Sequence, residues 1–273
     1  MDTQKDLSAT DRCDRDIFSI SELFHENTKL RRTPDGLVLG GKAPPSTPEV
    51  HYALRHPWKR YASTARTRLP RPLDPLRTPI ELVIRSRQSV REFSGTAISF
   101  EQLSYVLDLS YGTLGETLLD DGVAKRQRRV VPSAGALYPI ELYPIVFQAD
   151  GLQGGVYHYQ PEENSLECLQ LGDLHSTVNE MFSYPEVVAQ ASAVLLLVAI
   201  FQRNRFKYGE RGYRFILLDA GHIAQNMYLV ATALGLGAVA IGGFLDDKLN
   251  EFLGLDGVDE AVVYSVAIGC PLV

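Results

Sequence analysis

Cysteine is scarce in this chain. Cys13, Cys168 and Cys270 are the only three among 273 residues, lie far apart and match no metal-ligand or redox spacing, so reduced thiols in a cytoplasmic protein are the simplest account. Long apolar runs are also missing. The longest, Ala193–Phe201, is far short of the roughly 20 residues a membrane helix needs, and reads as a core strand. The acidic segment Met1–Asp16 has no apolar core, so no ordinary secretory signal is expected. Positive charge is not in excess: a formal net charge of -6 argues against bulk binding to nucleic acid or an anionic membrane, although it leaves room for a local basic pocket. The histidines, His25, His51, His56, His158, His175 and His222, form no metal-ligand motif, and His222 inside a helix reads as a satisfied core residue. No serine sits in a nucleophile elbow and no glycine-rich loop ends in Lys-Ser or Lys-Thr, which leaves hydrolase, metalloenzyme and P-loop chemistry without support.

With 45% hydrophobic and 22% charged residues, the chain is globular and long enough for one large domain with an appendage. Residues 1–77 read as a partly extended arm, with prolines at Pro44, Pro45, Pro70, Pro72 and Pro75 favouring open conformations over packed structure. Within the arm, Ile17, Ile20, Leu23 and Phe24 share a face of a short helix; His25, Glu26 and Lys29 are then either functional or a solvated helix edge. The compact domain, 78–273, opens on Thr78-Pro79-Ile80-Glu81, a capping residue followed by proline and glutamate at helix-start positions, with Ile80, Val83 and Ile84 as an apolar face. Ser99 and Gln102 mark a second capped helix whose buried face is Leu103, Val106, Leu107 and Leu109. Gly115–Val131 reads as a polar loop ending in the basic run Lys125–Arg129, either a solvated turn or a lure for an acidic or peptide substrate. Strands at Glu141–Gln148, Gly155–Tyr159, Leu166–Leu171, Ala238–Ile241 and Ala261–Ile268 alternate irregularly with helices, which is an α+β pattern.

Three places invite a ligand. Arg85–Arg91 packs three arginines and two serines into seven residues, a density that suits a many-oxygened anion as well as it suits ordinary surface charge. Pro132-Ser133-Ala134-Gly135-Ala136-Leu137-Tyr138-Pro139 is a rigid loop of small residues whose backbone can approach a flat ligand and whose Ser133 can donate a hydrogen bond, or it is a structural turn. The third, around which the rest is organised, is Arg203–Phe244. Arg203–Tyr213 carries four basic and three aromatic residues, and then Phe215, Ile216, Ala220, Ile223, Ala224, Met227, Val230, Ala231 and Leu234 recur at spacings that define a long buried helix. Gly235 is its natural stop, and Ile241-Gly242-Gly243 leaves backbone amides unscreened by side chains. Gly235-Leu236-Gly237-Ala238-Val239-Ala240 has the letters of a dinucleotide fingerprint but follows a helix and precedes a strand, the reverse of what that motif requires.

In this order, Arg87-Gln88-Ser89-Val90-Arg91-Glu92-Phe93, the Pro132–Pro139 loop, the long helix and Gly242-Gly243 resemble the nitroreductase-like flavoenzymes over about Thr78–Gly269, and Phe206–Arg214 resembles more specifically the SagB-type dehydrogenases, azoline oxidases of thiazole and oxazole peptide biosynthesis. The resemblance implies a mixed, mainly antiparallel sheet wrapped by helices, and a homodimer with FMN at its interface. It also implies phosphate and ribityl contacts from Arg87, Gln88, Ser89 and Arg91, a flavin-facing loop of Pro132, Ser133, Ala134 and Gly135, and flavin-ring contacts from Ile241, Gly242 and Gly243. Many nitroreductases add a basic residue near the C-terminus, where this chain reads Ile268-Gly269-Cys270-Pro271-Leu272-Val273. The implied substrate is an azoline on a peptide or carrier protein, with Lys207 or Tyr208 as the base: lysine desolvated near Arg205 and Arg211 would have its ammonium disfavoured, and tyrosine beside a cation would favour phenolate. Two other expectations stand beside it. One is a NAD(P)H-dependent nitroreductase or quinone reductase, the other a non-catalytic scaffold of a biosynthetic complex.

Overall fold

A computed structural model of the chain describes residues 19–32, 38–39, 57–70, 75–118 and 125–272. Cys13, Ile17, Pro44, Pro45 and Pro72, each part of a sequence expectation, lie outside them. The centre is a seven-stranded sheet made of β1 (Arg66–Arg68), β2 (Ile140–Val146), β3 (Gly155–Gln160), β4 (Ser165–Leu171), β5 (Ala193–Ile200), β6 (Gly237–Ile241) and β7 (Glu260–Gly269). The spatial order is β6-β7-β5-β2-β3-β4-β1, and every neighbouring pair is antiparallel. With helices on both sides this is the expected α+β architecture. The β1 strand, drawn from the arm, closes one edge of the sheet.

Strand β5 explains why the longest apolar run is needed. Leu195, Leu197 and Ala199 enter a core shared with the long helix Arg211–Ala233 and the capped helix Phe100–Tyr111. Val194, Leu196 and Val198 enter a second core under the short helices His175–Asn179, Pro185–Val188 and Asp246–Leu253. A strand buried on both faces has no polar positions, so alternation disappears. The long helix ends where glycine permits it, Gly235 taking a φ of 71° that a Cβ would oppose.

Several local expectations change. The Ser99–Gln102 capping box is formed in both directions, but the helix Ile80–Ser86 has Pro79, not Thr78, in the N-cap position and no side-chain cap. Of its apolar residues only Val83 is buried; Ile80, Leu82 and Ile84 are exposed. In the capped helix Leu109 faces solvent while Tyr105 and Tyr111 are buried, and in the long helix Phe215 and Leu234 are only half-buried and His222 is exposed. Gly115–Val131 is not a loop throughout: Thr113–Leu118 and Lys125–Arg129 pair as an antiparallel hairpin. Its basic run is not simply solvated, because Arg129 is buried between the rings of Tyr111 and Tyr138, 4.1 and 4.8 Å from their centroids. Two aromatic faces stabilise a desolvated guanidinium that charge counting would leave in water.

A buried charge network joins the sheet to what lies over it. His158 on β3 has Glu167 Oε2 2.8 Å from Nδ1 and Glu141 Oε2 2.9 Å from Nε2. Glu141 also pairs with Arg203 at 2.6 Å and accepts the Lys59 amide at 2.7 Å, while Glu167 pairs with Arg66 at 3.1 Å. Burial alone would lower the His158 pKa, but its hydrogen bonds to both carboxylates outweigh burial and raise it. Burial alone would raise Glu141, but Arg203 and His158 bring it down to about 2. The signs are opposite: the His158 contribution to stability is lost as pH rises through its raised pKa, and the Glu141 contribution as pH falls towards 2. His158→Ala leaves two buried carboxylates facing each other without their shared cation, and is expected to cost about 3–5 kcal/mol in urea denaturation at pH 7. A loss below about 1 kcal/mol, the size of an exposed ion pair, would show that the three groups are not coupled.

Candidate functional site

The short feeder helix Gln202–Tyr208 follows β5 directly. Arg203, in its first turn, reaches back to Glu141 and also donates to the carbonyls of Tyr138 at 3.1 Å and Pro57 at 3.3 Å. Lys207 lies four residues on, one helical turn along the same side. The result is that the helix touches the Pro132–Pro139 loop twice. Arg203 holds the loop's Tyr138 end, and a Cβ built on Gly135 would lie 2.7 Å from Tyr208 Oη and 3.0 Å from Lys207 Nζ. Gly135 has a φ of 66°, so glycine there satisfies both a backbone conformation and a close approach. Arg205 and Arg211, expected to crowd the lysine, are otherwise engaged: Arg205 pairs with Glu210 at 2.8 Å, and Arg211 donates to the Thr28 carbonyl at 3.1 Å.

Ser133 does not keep its proton for a ligand. Its hydroxyl donates to Asp219 Oδ2 at 2.5 Å and accepts the Tyr138 N–H at 3.0 Å. Asp219 is buried on the long helix, and burial raises its pKa to about 6 against the opposing hydrogen bond from Ser133 and the charge of His222. Pro132, Ser133, Gly135, Ala136 and Tyr138 line a cavity of about 630 Å³ whose far wall is the hairpin, with Leu114, Thr117 and Arg128. Ala134, the remaining residue of the predicted loop contacts, sits half-buried between Ser133 and Gly135.

The second group of residues forms a different cavity. The Arg87–Arg91 segment runs beside β6, with Ser89 bridged to Ala238 and Val90 N–H donating to the Ala238 carbonyl at 2.9 Å. That pairing brings Arg91 to Ile241, Gly242 and Gly243 around a cavity of about 440 Å³, closed by Tyr184, Glu186 and Val187. Arg87 stacks over Tyr228 at 5.2 Å, and the Ser89 hydroxyl lies 3.0 Å from the Tyr228 hydroxyl, which also accepts the Ala240 N–H at 2.7 Å. Gln88 points to solvent. Arg91, alone of the basic segment, therefore shares a pocket with the glycine pair, within the volume range of small-molecule sites. Ser133 and Gly135 lie on another, and none of the residues around one cavity is shared with the other; Lys207 and Tyr208 meet the loop at Gly135 without lining either cavity.

Asp219, Tyr228, Arg203 and Tyr184 were not singled out from sequence. Asp219 was findable, since it lies three residues after Ile216 and four before Ile223, on the apolar face. The His25–Lys29 patch divides. Glu26 and Lys29 form an exposed pair, whereas Thr28 is buried and accepts from Arg214 Nε at 2.7 Å, and Phe24 meets Tyr213 edge-on at 5.3 Å. Ile20 and Leu23, expected on the packed face of that helix, are exposed.

An antiparallel sheet buried between helices, with Arg91 and a glycine pair around one cavity and a small-residue loop at another, defines an α+β protein with two separate candidate half-sites. The nitroreductase family profile matches residues 84–270, and the chain belongs to the nitroreductase family. Among relatives, the protein MJ1384 of Methanocaldococcus jannaschii is 36% identical over 179 residues, 64% of this chain and 83% of that one. The microcin B17-processing protein McbC of Escherichia coli is 34% identical over 134 residues, 47% of this chain and 49% of McbC. The trifolitoxin-processing protein TfxB of Rhizobium leguminosarum is 32% identical over 148 residues, 52% of this chain and 39% of TfxB. This chain thus matches half or less of the length of either processing protein. Its fold is shared with a structure from Anabaena variabilis, at a TM-score of 0.68 and 24% identity over 92% of this chain and 47% of that one. It is shared too with the E. coli microcin synthetase McbBCD complex, at 0.59 and 23% over 93% and 92%. Among the described residues no helix is long and apolar enough to cross a membrane, and no cluster of metal-ligating side chains occurs.

Gly135→Ala is expected to cost roughly 1–2 kcal/mol from its left-handed backbone and to push aside the ends of Lys207 and Tyr208. An unchanged urea midpoint would sink this account of the loop.

Proposed function

We propose that the chain is an FMN-dependent dehydrogenase that aromatises thiazoline or oxazoline rings on a peptide or carrier-bound chain. The observation that carries this reading is the meeting of Lys207 Nζ and Tyr208 Oη at Gly135, which puts an amine and a phenol at a backbone with no Cβ to separate them from a flat ring. The processing roles in the names of McbC and TfxB, and the truncated pro-MccB17 bound in the McbBCD complex, support a peptide substrate.

The residues fit FMN. Around the 440 Å³ cavity, Gly242 and Gly243 contribute backbone without side chains and Arg91 contributes a guanidinium, a donor set suited to the polar edge of a flavin ring. Arg87, held over Tyr228, meets the phosphate in this reading. The Ser133–Gly135 loop belongs to a separate cavity, so in this reading a second copy supplies it and FMN lies at the interface of a homodimer. The exposed apolar residues Ile80, Leu82, Ile84, Leu217 and Leu218 give such an interface its hydrophobic content. When bound, FMN would supply the hydride acceptor, with dioxygen as the oxidant that restores it. The chain's own part is to hold the azoline ring at the Lys207–Tyr208 end of the loop and to take the carbon-bound proton on one of those two side chains. Two electrons and two hydrogens leave the ring, one as a proton and one as hydride.

Lys207→Ala and Tyr208→Phe are each expected to lower turnover of a thiazoline peptide by about 10²–10⁴-fold while the purified protein stays yellow; loss of colour would assign these residues to cofactor binding instead. Arg87→Ala is expected to lose flavin on gel filtration. Anaerobic bleaching separates the alternatives: a thiazoline peptide bleaches an azoline oxidase, rapid bleaching by NAD(P)H marks a nitroreductase or quinone reductase, and a colourless protein that takes up no FMN marks a scaffold.

A further inference from the structure

The Pro132–Pro139 loop adopts a backbone that its sequence does not favour. After Gly135 at a φ of 66°, Ala136 stands at 53° and Tyr138 at 45°, two of the three non-glycine residues at positive φ among the described residues. Left-handed alanine and tyrosine are costly and persist only where the surroundings over-determine them. The surroundings here are few and identifiable. One end of the loop is gripped by Arg203 at the Tyr138 carbonyl and by the Arg129 N–H at the Tyr138 hydroxyl, at 3.1 and 3.0 Å. The other fastening is a chain of hydrogen bonds in one direction: Tyr138 N–H donates to Ser133 Oγ, and Ser133 Oγ–H donates to Asp219 Oδ2. The Ala134 N–H faces the same carboxylate and favours its charged form. A single carboxylate from the middle of the long helix thus closes the loop on itself through Ser133.

We propose that Asp219 is a positioning residue that, as the carboxylate, latches the Pro132–Pro139 loop in its left-handed shape and so sets the loop's affinity for the flavin. The proposal rests on the FMN reading for its ligand but not for the latch. Asp219 is buried among groups that define its charge. His222 on its own helix favours the anion, as do the Ser133 hydroxyl, which donates to it, and the Ala134 N–H. Tyr111 of the capped helix, a buried phenol whose pKa is raised, feels the charge of Asp219, as it does those of Arg129, Glu141 and Arg203. Lys207 and Tyr208 approach the same loop at Gly135. A carboxylate accepts two hydrogens at once, each strengthened by charge; a neutral carboxyl or an amide keeps the shape and loses that strength.

The sign of the Asp219 shift separates a latch from a plain structural contact. Its pKa in the folded chain is raised to about 6 from 3.8, so the ionised form lowers folding stability, a loss that sets in as pH rises from 4 and is complete above 6. Asp219→Asn is therefore expected to melt at a higher temperature than the wild-type chain at pH 8, with the gain shrinking towards pH 4. At pH 8 the same variant is expected to bind FMN about 10-fold more weakly in a fluorescence titration. The ratio of wild-type to variant affinity should fall as pH is lowered through 6, a ratio in which titration of the FMN phosphate cancels. In the cofactor-free chain, hydrogen exchange at the Ala134 and Tyr138 amides should be faster in Asp219→Ala than in wild type at one pH. Equal FMN affinity and equal exchange in wild type and variants overturn the latch and leave the flavin reading intact. Faster exchange with no FMN bound by any form overturns the flavin reading and leaves the latch. An Asp219→Asn chain that is less stable at pH 8 and releases FMN in proportion would make Asp219 merely structural and sink the proposal.

Discussion

Glu141 carries a negative charge in the middle of a sheet, and much of the architecture follows from the need to satisfy it. No single neighbour does so. His158 comes from the adjoining strand, Arg203 from the feeder helix, and the Lys59 amide from the N-terminal segment that also supplies β1. Breaking one partner of such a group leaves an uncompensated buried charge, which is far costlier than the net worth of the pair. The network therefore specifies which helix turn and which stretch of arm lie over the sheet, more than it adds to stability. Because Arg203 and Lys207 are one turn apart, specifying the first also aims the second.

The same logic runs along the long helix. Its apolar face is fitted to the sheet and the capped helix, but at Asp219 and Tyr228 that face is polar. Each of the two reaches a segment distant in sequence: Ser133 in the loop, and Ser89 with Ala240 at the glycine-bearing strand. A rigid helix holds the two places about nine residues apart, roughly 13–14 Å at 1.5 Å per residue. The two candidate half-sites are thereby kept at a set separation on one subunit. In the proposed reading this is how a flat cofactor comes to be gripped at one edge by one copy and faced by the loop of the other.

Membership of the nitroreductase family accounts for the sheet and for the order of the motifs, whereas the Lys207–Tyr208 pair and the docking of Thr28 and Phe24 on Arg214 and Tyr213 are details of how this chain presents its site. The arm helix covers the start of the long helix, one turn beyond the pair. Backbone strain is concentrated in the loop between these elements, where local preference and tertiary demand disagree, as is common at sites that bind or react.

Periodicity alone determined the long helix, its stop at Gly235, the capped helix from Ser99 and the doubly buried strand, because each depends on residues within a few positions of one another. The ordered motifs at Arg87–Phe93, Pro132–Pro139 and Gly242-Gly243 also determined the family. Sequence could not show that Thr113–Leu118 pairs with Lys125–Arg129, since their charged residues carry no apolar alternation and Arg129 is buried by Tyr111 and Tyr138 from elsewhere. Nor could it show that Ile80 and Ile84 stay exposed, or that the proton of Ser133 is given to Asp219. Local spacing reports which residues a segment would bury, but what covers them, and which buried charges find partners, depends on groups that only folding brings within hydrogen-bond reach.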